Sequence, residues 1–138
     1  MDIRLYPRPA PAMTAHQTAG DRLQIWIGVF GVATPPPIQW FLNGTPITPT
    51  TITDLHSVRS AELVPLTSPR AFTGVYEFTG LQPESVYRVK AQSGVQQASI
   101  EVQTLPDQLP TDSSKPFQVL LVSCYYQPED RSELVSAV

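Results

Sequence analysis

The 138-residue chain has 41% hydrophobic and 15% charged residues, with nine Lys and Arg against twelve Asp and Glu and a formal net charge of −3. At this length and hydrophobic content we expect one packed domain with appendages and not a disordered chain. The sequence has no basic run that could follow a phosphate backbone, so its composition argues against nucleic acid as a partner.

The sequence gives little information about the cellular compartment of the protein. The N-terminal stretch lacks an apolar run of the length that a secretory signal needs, and no run elsewhere is long enough to cross a membrane. We therefore expect no membrane partner and take the cytoplasm as the default compartment. The lone cysteine, Cys124, excludes an intramolecular disulfide and fits a reducing compartment, although sandwiches without disulfides are also exported.

The first periodic segment is DRLQIWIGVF, in which apolar residues alternate with others at period two. This predicts a half-buried strand. Its inward face would carry Leu23, Ile25, Ile27 and Val29. Trp26 falls on the opposite face, where we expect the N-terminal segment around Leu5 and Tyr6 to cover it.

The next strand signal is IQWFLNGTPI, where Ile38, Trp40 and Leu42 share one face and Phe41 lies on the other. Asn43-Gly44 predicts a tight turn, because both residues tolerate a positive φ. From residue 45 to residue 69 the pattern weakens, and we expect the least regular part of the domain. A strand containing Pro65 would lie at a sheet edge, since proline donates no ladder hydrogen bond.

Three further strands are predicted from YEF, VYRVKAQ and QQASIEV, the first two joined by the corner GLQPES. No segment of residues 1–106 has helical periodicity. Short alternating strands separated by turn signals predict an all-β, antiparallel β-sandwich over these residues. Its large core side chains would be Trp40, Tyr76, Phe78 and Tyr87.

The block YEFTGLQPESVYRVKAQ resembles the corner before strand F of fibronectin type III domains, with Leu81, Pro83 and Tyr87 at the family's positions. The resemblance implies an immunoglobulin-like sandwich in which Tyr87 has a structural role and its hydroxyl bonds back to the corner. Ile27 stands where the family usually keeps a tryptophan. Trp40 is then expected to supply the missing aromatic bulk.

Few residues suggest chemistry, and we assign no catalytic residue. Asp54 and His56 could form a pair that orients a general base, but we interpret them as a solvated loop pair, because no nucleophile is marked nearby. His16 also lies in polar, loop-like surroundings. The carboxylates Glu62, Glu77, Glu84 and Glu101 fall on different elements and are interpreted as solvated. Trp26 and Phe41 are candidates for an interaction surface.

The last segment predicts a different domain. Residues 107–116 have the composition of a linker, FQVLLVSC reads as a buried strand, and PEDRSELVSAV could begin a helix. A type III-like sandwich, a linker and an apolar strand ending in Ser-Cys resemble the PhoD-like branch of calcineurin-like metallophosphoesterases. That resemblance implies that residues 117–138 begin a truncated α/β catalytic domain, in which Cys124 would be an iron ligand.

We therefore expect residues 1–106 to be a non-catalytic accessory domain whose partner is its own downstream catalytic domain. This chain alone would need no cofactor and would not be an enzyme, whereas iron or other divalent metals belong to a full-length enzyme. One alternative is an independent module that binds protein or carbohydrate. Another is that residues 117–121 add a strand to the sandwich. For Cys124 itself, the alternative to an iron ligand is a small buried apolar residue.

Overall fold

Residues 1–8, 19–57, 70–107 and 114 are described by a computed structural model. The chain divides into two compact units, Met1–Gln108 and Leu109–Val138. The elements below all belong to the first unit, and Ser114 is the one described residue of the second. The expectations for His16, Glu62, Pro65 and residues 117–138, including Cys124, lie outside the described residues.

The described residues form eight strands arranged in two four-stranded sheets. In one sheet the order is β1-β2-β6-β5, in the other it is β4-β3-β7-β8, and every pairing is antiparallel. The predicted all-β sandwich is therefore confirmed. In chain order the strands are β1 (Asp2–Arg8), β2 (Leu23–Val32), β3 (Gln39–Leu42), β4 (Thr45–Ile47), β5 (Thr50–Ser57), β6 (Arg70–Phe78), β7 (Val86–Ser93) and β8 (Gln96–Gln103).

The core lies between the two sheets and follows the predicted alternation. The inward residues of β2 are all buried, and Val89 and Ala91 of β7 belong to the same core. Trp40 of β3 contacts two aromatic rings of β6, with centroids 5.0 Å from Tyr76 and 5.6 Å from Phe78. Fully burying a side chain such as Phe78 stabilises the fold by about 1.5–3 kcal/mol. The aromatic bulk of the core therefore comes from β3 and β6.

The connection between β6 and β7 is held by hydrogen bonds to its backbone. The Tyr87 hydroxyl accepts a hydrogen bond from the backbone N–H of Gln82 at 2.8 Å. Buried Thr104 donates its hydroxyl proton to the Gln82 carbonyl at 2.6 Å and accepts from the Ser85 N–H at 2.9 Å. Leu81 is buried next to this corner. Side-chain hydrogen bonds from Tyr87 of β7 and from Thr104, just after β8, thus fix a loop that has no regular secondary structure.

The region after β3 is more regular than its sequence suggested. Asn43 and Gly44 have φ values of 49° and 81°, as the predicted turn requires. Strand β5 was not predicted, and the expectation of a loop around His56 is wrong. β5 is an edge strand with mostly exposed side chains, so it lacks the apolar alternation that reveals a half-buried strand.

Candidate functional site

A cavity of about 530 Å³ opens at the side of the sandwich, between β3 of one sheet and β5 of the other. Its walls are mainly apolar, and Asp54 is the only charged residue among the described residues that line it. The described lining residues are Pro35, Pro36, Pro37, Ile38, Trp40, Thr48, Pro49, Thr51, Asp54, Leu55 and Tyr76. Concave, mostly apolar sites with a few polar groups are where small ligands usually bind.

Irregular pairing of β5 with β6 brings Asp54 to this cavity. The register shifts between Thr51 and Thr53 and again between Thr53 and His56, so Asp54 lies within a bulged stretch. Bulges bend a strand and redirect its side chains. They also let the β5 backbone lie close to Gly74 of β6, where a Cβ atom would be 2.9 Å from the Thr53 carbonyl oxygen. Only glycine fits there without a shift of the backbone.

The Asp54 carboxylate is held from two sides. Its Oδ1 atom accepts a hydrogen bond from the Leu55 N–H at 2.8 Å, and the Tyr76 hydroxyl lies 3.4 Å from the same oxygen. Burial, followed by the charge of Asp54, raises the pKa of Tyr76 above its ordinary value. The phenol therefore stays protonated at neutral pH and points its proton at the carboxylate.

The suggested pair of Asp54 and His56 is not a histidine–carboxylate pair. His56 Nδ1 lies 3.0 Å from the backbone carbonyl oxygen of Asp54, and both residues are exposed on β5. A carbonyl oxygen can fix the orientation of the ring but does not supply the charge that raises the basicity of a general base. The geometry gives no support to acid–base catalysis at this position.

Trp26 lies on the outer face of the first sheet, opposite the core. Its ring contacts that of Tyr6 on β1, with centroids 5.4 Å apart. A Cβ atom at Gly28 would be 2.6 Å from the Trp26 ring and 2.8 Å from the Phe30 ring, so both rings fold over that glycine. Trp26 is half-buried, while Tyr6 remains 53% exposed.

Phe41, the second candidate for an interaction surface, lies on the other sheet. The Lys90 ammonium is 4.0 Å from the centroid of its ring, a distance that suits a cation–π contact. Phe41 also lines a cavity of about 420 Å³ that shares Ile38 and Trp40 with the larger one. Trp26 and Phe41 therefore do not form one surface, since each belongs to a different sheet.

Glu77 was interpreted as solvated, and this is wrong: it is 7% exposed on the outer face of β6. Gln24 Nε2 donates a hydrogen bond to its carboxylate at 2.8 Å, and Arg22 Nη1 lies 3.8 Å from it. These partners come from the neighbouring strand and its start, which strand periodicity alone does not reveal. The carboxylate is engaged in structure and is withdrawn from solvent.

The remaining candidates lie apart from one another. Glu101 is exposed and lies 3.7 Å from Arg88 on the neighbouring strand, and Glu84 is exposed in the corner with a φ of 49°. Within the described ranges, no group of three or more His, Cys, Asp and Glu side chains could hold a metal ion. The helices of those same ranges include none long and apolar enough to cross a membrane.

Comparison with known proteins gave no assignment. No model of a known protein family matches this chain, and no curated protein matches it. Function therefore has to be argued from the residues themselves. Of those that matter most, Gly74 and Thr104 were not singled out from the sequence, because their roles depend on contacts with distant strands.

Proposed function

We propose that residues 1–106 form a non-catalytic accessory β-sandwich domain of a metal-dependent phosphoesterase. The observation that carries the accessory role is the hydrogen bond between Tyr87 and Gln82 across the corner GLQPES. This contact is the structural use of the tyrosine that the fibronectin type III resemblance implies. A domain with this structural role would shape, cover or orient the catalytic domain beside it.

The contacts of the charged side chains support a structural role for this domain. Glu77 is engaged by Gln24 and Arg22, and the exposed residues Arg88 and Glu101 face each other on adjacent strands. A general base needs a carboxylate or imidazole directed at substrate with its own partner behind it. These carboxylates are occupied by partners within the sheets and present no such arrangement.

The phosphoesterase half of the proposal rests on the sequence after the sandwich. The order of linker, apolar strand and Ser123-Cys124 resembles the start of a PhoD-like catalytic domain. Cys124 would be an iron ligand there, and a two-metal centre would draw its other Asp, Asn and His ligands from further along such a domain. Iron or other divalent metals would thus belong to the full-length enzyme.

An assay of hydrolysis by the purified chain tests the accessory role directly. We expect no hydrolysis of 4-nitrophenyl phosphate or bis(4-nitrophenyl) phosphate above the metal-only blank, with Fe³⁺, Zn²⁺, Mn²⁺, Mg²⁺ or Ca²⁺ added in turn. The Asp54→Asn and Cys124→Ala variants serve as controls for any signal. Hydrolysis by the parent chain that either variant abolishes would contradict a non-catalytic role.

An independent module that binds protein or carbohydrate is the second candidate. The exposed ring of Tyr6 beside Trp26 favours it, because sugar rings stack on aromatic side chains. Titration of the labelled chain with cellohexaose, followed at the indole N–H of Trp26, would test the carbohydrate form. Saturable shifts that Tyr6→Ala removes and Val86→Ala retains would favour this candidate over the accessory role.

A further inference from the structure

We propose that the cavity beside β5 binds a primary alkylammonium group, with the Asp54 carboxylate as its counter-ion. The inference is independent of the proposed function, because it rests only on the cavity and its lining. Asp54 supplies the only formal charge among the described residues that line the cavity. A cationic ligand is therefore the one that gains an opposite charge there.

The carboxylate is free to receive such a ligand. Among the described residues, no Lys or Arg side chain forms an ion pair with Asp54. The hydrogen bonds from Leu55 and Tyr76 both reach Oδ1, and no other described residue donates to Oδ2. One carboxylate oxygen is thus positioned by the protein, and the other can accept a hydrogen bond from the ligand.

This arrangement favours an ammonium over a guanidinium group. A guanidinium binds best through two parallel hydrogen bonds to both oxygens of one carboxylate. Here Oδ1 already accepts from the Leu55 N–H at 2.8 Å and lies 3.4 Å from the Tyr76 hydroxyl, so both of its acceptor sites are in use and it cannot also bind a guanidinium N–H. An ammonium is a compact point charge with rotatable donors, and it needs only the remaining oxygen.

The rest of the lining suits the alkyl stem that carries the charge. Ile38, Leu55 and the run from residue 35 to residue 37 present apolar surface, and the rings of Trp40 and Tyr76 line the same space. Each methylene group that is fully buried against such walls raises the affinity by roughly fourfold, by the usual relation between buried apolar area and free energy. Aromatic rings near an ammonium add a favourable cation–π contribution.

The position of Asp54 is determined by how β5 pairs with β6. The double register shift of β5 turns this stretch of chain toward the cavity, and Gly74 leaves the room in which the shifted backbone lies. The Tyr76 hydroxyl then meets the carboxylate from the core side. Two donors, the Leu55 N–H of β5 and the Tyr76 hydroxyl of β6, thus meet at one oxygen of Asp54.

The test is a titration of the full chain with n-butylammonium chloride, followed by the ¹⁵N–¹H resonances of the Trp40 indole and the Leu55 amide. We expect saturable shifts of both resonances. 1-Butanol has the same stem and can also donate a hydrogen bond to the carboxylate, but it carries no charge. We expect it to bind at least roughly tenfold more weakly, because it lacks the attraction between opposite charges. Equal shifts with the alcohol, or no saturable shift with the amine, would overturn the proposal.

Two variants test whether the Asp54 carboxylate is the group that binds butylammonium. Asp54→Asn keeps the size of the side chain and should weaken butylammonium binding by about tenfold, whereas Glu101→Gln removes an exposed carboxylate from the other sheet and should leave it unchanged. Unaltered binding by Asp54→Asn would overturn the proposal. If that variant does not fold, the comparison of amine with alcohol on the parent chain decides the question by itself.

Two sources could supply this group in a cell, namely a free amine or the side chain of a lysine in a protein. A third titration uses N-acetyl-lysine N-methylamide beside butylammonium. Tighter binding of the lysine derivative supports a lysine side chain as the natural ligand, and tighter binding of butylammonium supports a free amine. If neither compound binds, the proposed site is overturned.

Discussion

Tyr87 and Gln82 are joined by a 2.8 Å hydrogen bond from the backbone N–H of Gln82 to the phenol oxygen, five residues apart around the corner between β6 and β7. The ring of Tyr87 packs against the core, so one side chain ties the loop to the inside of the sandwich. The same loop is held by Thr104, the residue that follows β8. The corner is therefore fixed by one side chain of β7 and by one residue just beyond β8.

Replacing Tyr87 by Phe should lower the free energy of unfolding by about 1 kcal/mol, because the ring stays packed and one hydrogen bond is lost. Urea denaturation measures this. Gln82→Ala is the matched control, since it keeps the backbone N–H and should change stability by less than about 0.5 kcal/mol. Equal stability of the Phe variant and the parent chain would mean that the hydroxyl contributes nothing to the corner.

Thr104→Val should be more damaging than its small change in shape suggests. The hydroxyl of this buried residue satisfies the Gln82 carbonyl and the Ser85 N–H. Leaving such groups without partners costs about 1–3 kcal/mol. Thr104→Ser retains the hydroxyl and should recover most of the loss in the same denaturation experiment. A loss in Thr104→Ser as large as that in Thr104→Val would contradict the claim that the hydroxyl carries the effect.

Gly74→Ala tests the close approach of β5 to β6. The added methyl would meet the Thr53 carbonyl oxygen at 2.9 Å, a contact that only a backbone shift relieves. We expect a loss of about 1–3 kcal/mol in unfolding free energy, with the largest amide shifts in residues 53–55. Thr73→Ala, one residue earlier on the same strand, should cost less. Shifts confined to β6 would contradict the proposed coupling to Asp54.

Tyr76 should make stability fall in alkaline solution. Its folded-state pKa lies above the ordinary value of 10.0, so the folded chain binds the phenol proton more tightly than the unfolded chain does. This contribution is fully present below pH 10.0 and is lost as the pH rises through the folded-state pKa. Urea denaturation between about pH 8 and pH 11 should show this loss in the parent chain. A Tyr76→Phe variant with the same alkaline slope would refute it.

The sequence predicted the core well because burial on one face imposes period two. Ile25 and Val29 are inward and fully buried for that reason. The contact of Tyr87 with the corner, expected from the fibronectin type III resemblance, is present in the structure and joins residues only five positions apart. Strand β5 was not predicted, because exposed threonines at a sheet edge need no alternation with apolar residues.

The candidate site was harder to predict, because its parts meet only after folding. Asp54 and Tyr76 are 22 residues apart and come together across β5 and β6. The bulged register that joins them depends on Gly74, a residue that looks like an ordinary interruption of a strand. Glu77 was misjudged for the same reason, since its partners Gln24 and Arg22 lie on another part of the sheet.

The coding sequence beyond Val138 tests the accessory-domain proposal most directly, and sequencing the encoding DNA past that codon is the measurement. The proposal predicts an open frame that continues into an α/β domain with Asp, Asn and His residues able to hold two metal ions. A stop codon directly after Val138, or a continuation without those ligands, would contradict it.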